Sequence, residues 1–270
     1  MVFISRSITT IAQDLVPEIK TITMGDDTVQ LYIYVSPGAN IAYAHIHENE
    51  TASLEAGITS IKNYGGKLVT LVHSFDGSKN RNVTFMYNTT QYQFDPNRIY
   101  TDNDSVLYNN IKVVKGTNLV DTEVFKIVKN LANQIWNEVA SAPTIVALHN
   151  NKNTPAEYTN FLFWKKVEPE SYSIVSYIMR SDHASDSNHS CSDIYINASI
   201  NNSEFFIVTE KRDFDLLASK RSSVVLQNAT PVDDGSMSVF AAFKNKRYLN
   251  AEAKHGRVAE QTQMLKLINE

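Results

Sequence analysis

The chain has 270 residues, 43% hydrophobic and 20% charged, which is the balance of a globular protein and not of a disordered one. Its 29 acidic and 25 basic residues leave a net charge of −4, and with no Lys/Arg cluster this excludes a nucleic-acid partner held by gross charge. One cysteine, Cys191, excludes an internal disulfide and a cysteine-rich metal site, and the nine glycines form no phosphate loop and no GxGxxG fingerprint.

In chain order, the N-terminus lacks a basic start followed by a sustained apolar core, so no signal peptide is expected. The compartment stays open between the cytoplasm and, for a chain already trimmed, the periplasm or exterior. No run approaches the length of a membrane-spanning helix. Residues 29–35 alternate in the manner of a strand, and 40–46 form a short apolar run that predicts a buried one. Leu54, Ile58 and Ile61 carry a helix over 50–63, stopped by Tyr64-Gly65-Gly66, and 67–73 is the next strand. Such a strand–helix–strand unit implies a parallel pair. Residues 81–94 predict a hairpin with Asn88-Thr89 near its tip.

The clearest helix lies at 121–140, where Val124, Ile127, Val128, Leu131, Ile135 and Val139 make one stripe before Pro143. Residues 144–148 are a buried strand leading into His149, and 171–178 read as a strand or an edge. Residues 181–203 are polar and read as a surface loop holding His183, His189 and Cys191. Strands are expected at 205–209 and 223–227 with a helix at 212–219 between them. Residues 237–243 and 248–253 suggest a last strand pair before a closing helix at 257–269. Strands alternate with helices throughout, so the expected class is α/β: one domain over 1–270, with a mostly parallel mixed sheet flanked by helices.

Three segments set polar, ligand-type residues at strand ends, where open α/β sheets bind ligands: His45-Ile-His47-Glu-Asn-Glu50, Asp95-Pro-Asn97-Arg98 and Ala147-Leu-His149. His47 and Glu50, three apart where a strand turns into a helix, can reach one ion, and a third ligand must come from elsewhere, His149 being the best placed. Two His and one Glu with an open fourth position suit a single catalytic zinc ion. Taken alone, His-x-x-Glu also fits a helix start at which Glu48 and Glu50 favour the dipole. His45 and His47 on one strand face are a rival ligand pair, although His45 is better read as packed or as supporting the site.

In order, His47-x-x-Glu50, Asp95-x-Asn97-Arg98, a lone His149 and a late Glu252 resemble the zinc carboxypeptidase superfamily. Asp95-Pro-Asn-Arg-Ile-Tyr100 is particularly similar to a stretch of its succinylglutamate desuccinylase–aspartoacylase branch. The chain also looks like an uncharacterised bacterial group sharing His-Glu-Asn-Glu, Asp-Pro-Asn-Arg and Leu-His-Asn-Asn. The resemblance spans about residues 40 to 255. It implies a zinc carboxypeptidase-like fold and a zinc-dependent hydrolase of an amide bond. His47, Glu50 and His149 would hold the metal, and Glu252 would move the proton from water to the leaving amine. Asn97 and Arg98 would grip a substrate carboxylate. Arg81, matched by spacing only, would polarise the scissile carbonyl.

The resemblance implies either a peptide with a free carboxylate, including a cell-wall peptide, or an N-acyl amino acid as substrate. The short tail after Glu252 favours the compact carboxypeptidase-like core over the acylase branch, which carries a further β domain. Rival readings are a non-catalytic metal- or peptide-binding module on the same fold, and a metal-free scaffold in which the three ligands do not converge. Tyr172 and Tyr177 are the candidates for the superfamily's tyrosine. The loop Asp233-Asp-Gly-Ser236 is read as a turn near the rim, His73 at its strand end as a structural histidine and not part of the cleft, and His255 as a residue supporting the site without direct ligation.

Overall fold

The computed structural model describes residues 15–151, 160–161, 164–165, 172–177 and 191–270. A hairpin of β1 (Glu18–Met24) and β2 (Asp27–Ser36) opens the described chain. Next come β3 (Ile41–His45), α1 (Thr51–Tyr64) and β4 (Gly66–Val72), with β3 and β4 parallel as the sequence predicts. Gly65 ends α1 with φ at +82°, and a Cβ there would lie 2.2 Å from the Pro37 carbonyl oxygen, so only glycine permits the turn.

The predicted hairpin is β5 (Val83–Tyr87) and β6 (Thr90–Phe94), joined by Asn88 and Thr89 at φ of +48° and +64°. Helix α2 (Asp104–Asn110) leads to β7 (Ile111–Lys115), which adds to β6 and completes a separate three-stranded sheet. Helix α3 (Thr122–Ala140) begins where Asp121 Oδ1 accepts from the backbone N–H groups of Glu123 and Val124, both at 3.0 Å. Its apolar stripe is buried except for half-buried Ile127, and each fully buried side chain contributes about 1.5–3 kcal/mol.

Strand β8 (Thr144–Asn151) follows, then the two-residue strands β9 (Asn160–Phe161) and β10 (Trp164–Lys165), which pair with each other. The C-terminal part comprises β11 (Cys191–Tyr195), β12 (Phe205–Val208), α4 (Lys211–Ser219), β13 (Val224–Gln227), α5 (Met237–Phe243), β14 (Arg247–Lys254) and α6 (Val258–Asn269).

Among the described residues nine strands form one mixed sheet in the order β1-β2-β4-β3-β8-β14-β12-β13-β11. Its centre, β4-β3-β8-β14, is parallel, as is β12-β13. The β1-β2-β4 edge, the β12-β14 junction and the β11 edge are antiparallel. One face is covered by α1, α4 and α6 around Tyr43, Leu148 and Ala251. The other carries α3, α5 and the three-stranded sheet around Ala44, Ala147 and Tyr248. The fold is therefore α/β with a large sheet flanked by helices.

Three local expectations are corrected. Residues 237–243 are the helix α5, not a strand, with the Ser236 hydroxyl accepting from Val239 N–H; a seven-residue apolar run has no period that separates the two states. Val175, Ser176 and Tyr177, expected in a strand, are helical. Cys191–Tyr195, expected within a loop, is an edge strand, and Cys191 is buried; its partly exposed face carries polar residues that hide the alternation. His183 and His189 lie outside the described residues.

Candidate metal centre

The parallel centre of the sheet brings the ends of β3, β8 and β14 to one edge. His47 sits two residues past β3, and Glu50 immediately precedes α1. His149 lies near the end of β8, beside Glu252 of β14, its Cα partner. His47, Glu50 and His149 are buried, and among the described residues they form a group whose ligand atoms all lie within 4.8 Å of one another. His47 Nδ1 is 2.9 Å from Glu50 Oε1 and 3.1 Å from His149 Nδ1, and His149 Nδ1 is 3.2 Å from Glu50 Oε2. Ligands held at about 2.0–2.1 Å around a tetrahedral ion stand roughly 3.3 Å apart, and the two imidazole nitrogens and the Glu50 oxygens nearest to them are only slightly closer than that.

Asp95 decides which nitrogen of His47 faces this point. Its Oδ1 accepts from His47 Nε2 at 2.7 Å, which leaves Nδ1 of the neutral ring as a lone pair directed at Glu50. A carboxylate fixing a ligand imidazole through its far nitrogen is the common support of a metal site. The Asp95 motif was legible in the sequence, but this role was not, because it depends on a contact across 48 residues.

Two carboxylates, Glu50 and Asp95, face one guanidinium, Arg81, so with neutral imidazoles the group carries one net negative charge. Lone pairs converge on a buried, negatively charged point, and a cation there removes the repulsion. Burial opposes charge on His47, yet Glu50 and Asp95 outweigh it and raise its pKa to about 9. Burial likewise opposes ionisation of Glu50, and His47 and His149 hold it well below the usual carboxylate range. The site therefore retains either a proton or a metal ion between its donors, and the donor set fits a metal.

His45 is not a ligand. It is buried, its Nε2 meets the Glu50 carbonyl at 3.0 Å, and its Nδ1 meets the Thr70 hydroxyl at 2.6 Å. Burial lowers its pKa to about 4, so the ring is neutral. Asn150 braces the same ligand, its backbone N–H donating to Glu50 Oε2 at 2.9 Å. Gln261 of α6, fully buried, ties the two central strands together by donating to the carbonyls of His149 and Ala251.

A cavity of about 530 Å³ opens beside this group, with Glu50, Arg81, Asn97, Arg98, His149 and Glu252 among its walls. Glu252 is buried, which raises its pKa. Arg98 is ion-paired with Asp234, and Asn97 accepts from the Met237 N–H at 3.1 Å, so both hold the turn before α5. Gly235 closes that turn at φ +77°, where a Cβ would lie 2.5 Å from the Arg98 carbonyl oxygen. Arg81 lies 2.5 Å from Glu50 Oε1 and 3.4 Å from Asp95 Oδ2, so its guanidinium is engaged by these two carboxylates. The Tyr172 and Tyr177 hydroxyls meet at 2.6 Å on the cavity wall. His73 is held near Glu48, away from this cavity, and His255 is exposed.

No family profile and no curated protein matches the chain. Similar solved structures include a candidate succinylglutamate desuccinylase/aspartoacylase from Shewanella frigidimarina, 13% identical, covering 94% of this chain and 70% of that one with a TM-score of 0.39. An aspartoacylase family protein from Mesorhizobium loti is 11% identical, covering 97% and 69% with a TM-score of 0.40. A candidate metallopeptidase from Shewanella denitrificans is 13% identical, covering 92% and 80% with a TM-score of 0.37. Among the described residues no helix is long and apolar enough to cross a membrane.

Proposed function

We propose that the chain is a zinc-dependent hydrolase of an amide bond, acting in the manner of a carboxypeptidase on a peptide with a free carboxylate, with residues 1–270 working as one catalytic unit. The observation that carries this reading is the convergence of His47 Nδ1, Glu50 and His149 Nδ1 at ligand spacing on the wall of the cavity that also holds Glu252. Zinc fits this nitrogen–oxygen donor set and, when bound, supplies Lewis acidity that polarises a carbonyl and acidifies water.

The chain's own residues do the rest. Glu252, buried with a raised pKa, accepts the proton of the attacking water and returns it to the amine nitrogen as the C–N bond breaks. Arg98 exchanges Asp234 for the substrate carboxylate, which its planar fork matches in two hydrogen bonds, and Asn97 offers its remaining amide N–H groups. Arg81, on the metal side of the cavity, presents positive charge toward the developing oxyanion.

The test is metal analysis of the purified protein together with peptide hydrolysis by wild type and by Glu252→Gln. About one zinc per chain, with turnover abolished in the variant, supports the reading. A protein that takes up no zinc with His47 intact overturns it.

A further inference from the structure

Arg81 and Arg98 face two hollows. One is the cavity beside the candidate metal centre. The other, a recess of about 330 Å³, is lined by the small three-stranded sheet and touches none of His47, Glu50 and His149. The pleat makes its wall polar. Val83, Phe94 and Ile111 turn into the core, so Thr84, Gln93 and Lys112, which are Cα partners across β5, β6 and β7, share the opposite face. Gln93 and Lys112 line the recess, together with Asn82 and Asn109.

The charges of this wall do not all cancel. Both oxygens of its carboxylate, Asp95, are engaged, Oδ1 by His47 and Oδ2 by Arg81. Arg81 also meets Glu50, and Arg98 meets Asp234. Lys112 is exposed and has no hydrogen bond or ion pair among the described residues. Gln93 beside it gives one N–H of its Nε2 to Thr84 Oγ1 at 3.1 Å and keeps the other. The recess thus holds one cation without a counter-charge and an amide donor next to it. The shared wall is open to solutes, the side chains of Arg81 and Arg98 being 40% and 42% exposed.

We propose that this recess is a second substrate subsite, in which Lys112 and Gln93 take the carboxylate of an acidic residue that precedes the bond to be cleaved. One unmatched cation suits one singly charged carboxylate, and a hydrogen bond to it is charge-assisted. The inference rests on the hydrolase reading, which sets the substrate's free carboxylate on Arg98 in the adjoining cavity.

The probes are acetyl-glutamyl-glutamyl-alanine and acetyl-glutaminyl-glutaminyl-alanine, which offer acidic or neutral side chains of equal length at both positions before the last bond. With that last amide reduced to an amine they resist cleavage, and each is titrated calorimetrically into the full chain supplied with one equivalent of zinc. The wild type should bind the acidic peptide about fivefold more tightly. A net charge of −4 works against this preference, so a non-specific field does not imitate it. Lys112→Gln should bring the two peptides to within about twofold by weakening the acidic one only, and Lys112→Arg should keep the preference. Equal binding by the wild type, a preference for the neutral peptide, no binding of either, or a preference undiminished in Lys112→Gln would each overturn the inference. The wild-type comparison needs no variant, so it stands even if a variant misfolds. Cleavage of the two unmodified peptides with equal kcat/KM would remove the subsite and leave the hydrolase; acid-selective, Lys112-dependent binding without cleavage of either would do the reverse.

Discussion

Glu252 and His149 are Cα partners in the parallel ladder of β14 and β8, so a carboxyl and an imidazole leave the sheet side by side on one face. The two residues are 103 positions apart in the chain and belong to separate motifs. The register of one ladder is what makes them neighbours, and it sets the Glu252 carboxyl against an imidazole of the His47–Glu50–His149 group.

The first prediction concerns that carrier. Glu252→Gln should retain zinc and lose about 10²–10⁴ in kcat, the span ascribed to a positioned acid or base. The carboxylate is the active form in taking the water's proton, and burial raises its pKa. Wild-type kcat/KM should therefore fall with falling pH through a value above the ordinary glutamate figure of about 4.3. A pH–rate profile whose acid limb lies at or below that figure counts against Glu252 as the base.

The same group predicts a stability signature in the metal-free protein. A carboxyl whose folded pKa is raised contributes stability below its unfolded pKa, and the contribution is lost as pH rises through the folded pKa. Glu252→Gln removes this loss. The variant's melting temperature should match the wild type near pH 4, exceed it as pH rises, and hold a constant lead once pH has passed the folded pKa. A difference that stays constant with pH would show that Glu252 does not titrate in this manner.

The third prediction addresses the donor set. Alanine at His47 or His149, or glutamine at Glu50, should reduce zinc from about one per chain to near zero in metal analysis. Asp95→Asn leaves all three ligands but exchanges the carboxylate that orients His47 for an amide. Its zinc affinity, measured against a competing chelator, should be about 10–100-fold weaker. Unchanged affinity would mean that Asp95 does not set the ligand.

Away from the site, Glu138 of α3 ties that helix to two strands, its Oε1 2.5 Å from Lys20 of β1 and its Oε2 3.2 Å from Lys67 of β4. Burial would raise its pKa, but the two lysines lower it. Stability from a lowered carboxylate is present above the unfolded value and lost as pH falls through the folded one. Glu138→Gln should cost about 1 kcal/mol at pH 7, since these groups are partly solvated, and almost nothing near pH 2. Denaturant unfolding at the two pH values checks both statements.

Much of this was legible in the sequence because local patterns carry it. The stripe of α3, the Gly65-Gly66 stop after α1, the Asn88-Thr89 hairpin and the strand–helix–strand order each rest on contacts within one element or its neighbour. The mistaken strand at Met237–Phe243 and the concealed strand at Cys191–Tyr195 lacked such a pattern. One is a seven-residue, mostly apolar segment too short to show a period, and the other pairs only at the sheet edge.

The residue types and their order determined what chemistry this protein can do. With one cysteine and no phosphate loop, a metal has to rest on histidine and carboxylate, and His47, Glu50, His149 and Glu252 can be named without coordinates. Only the tertiary structure decided how they meet. The parallel pairing of β3, β8 and β14 closes separations of about a hundred residues to hydrogen-bond distance. It commits Asp95 to His47 and draws Arg81 onto the carboxylates of Glu50 and Asp95. Periodicity and composition carry no information about such contacts, because they depend on strand order and register, and those are set by packing across the whole sheet.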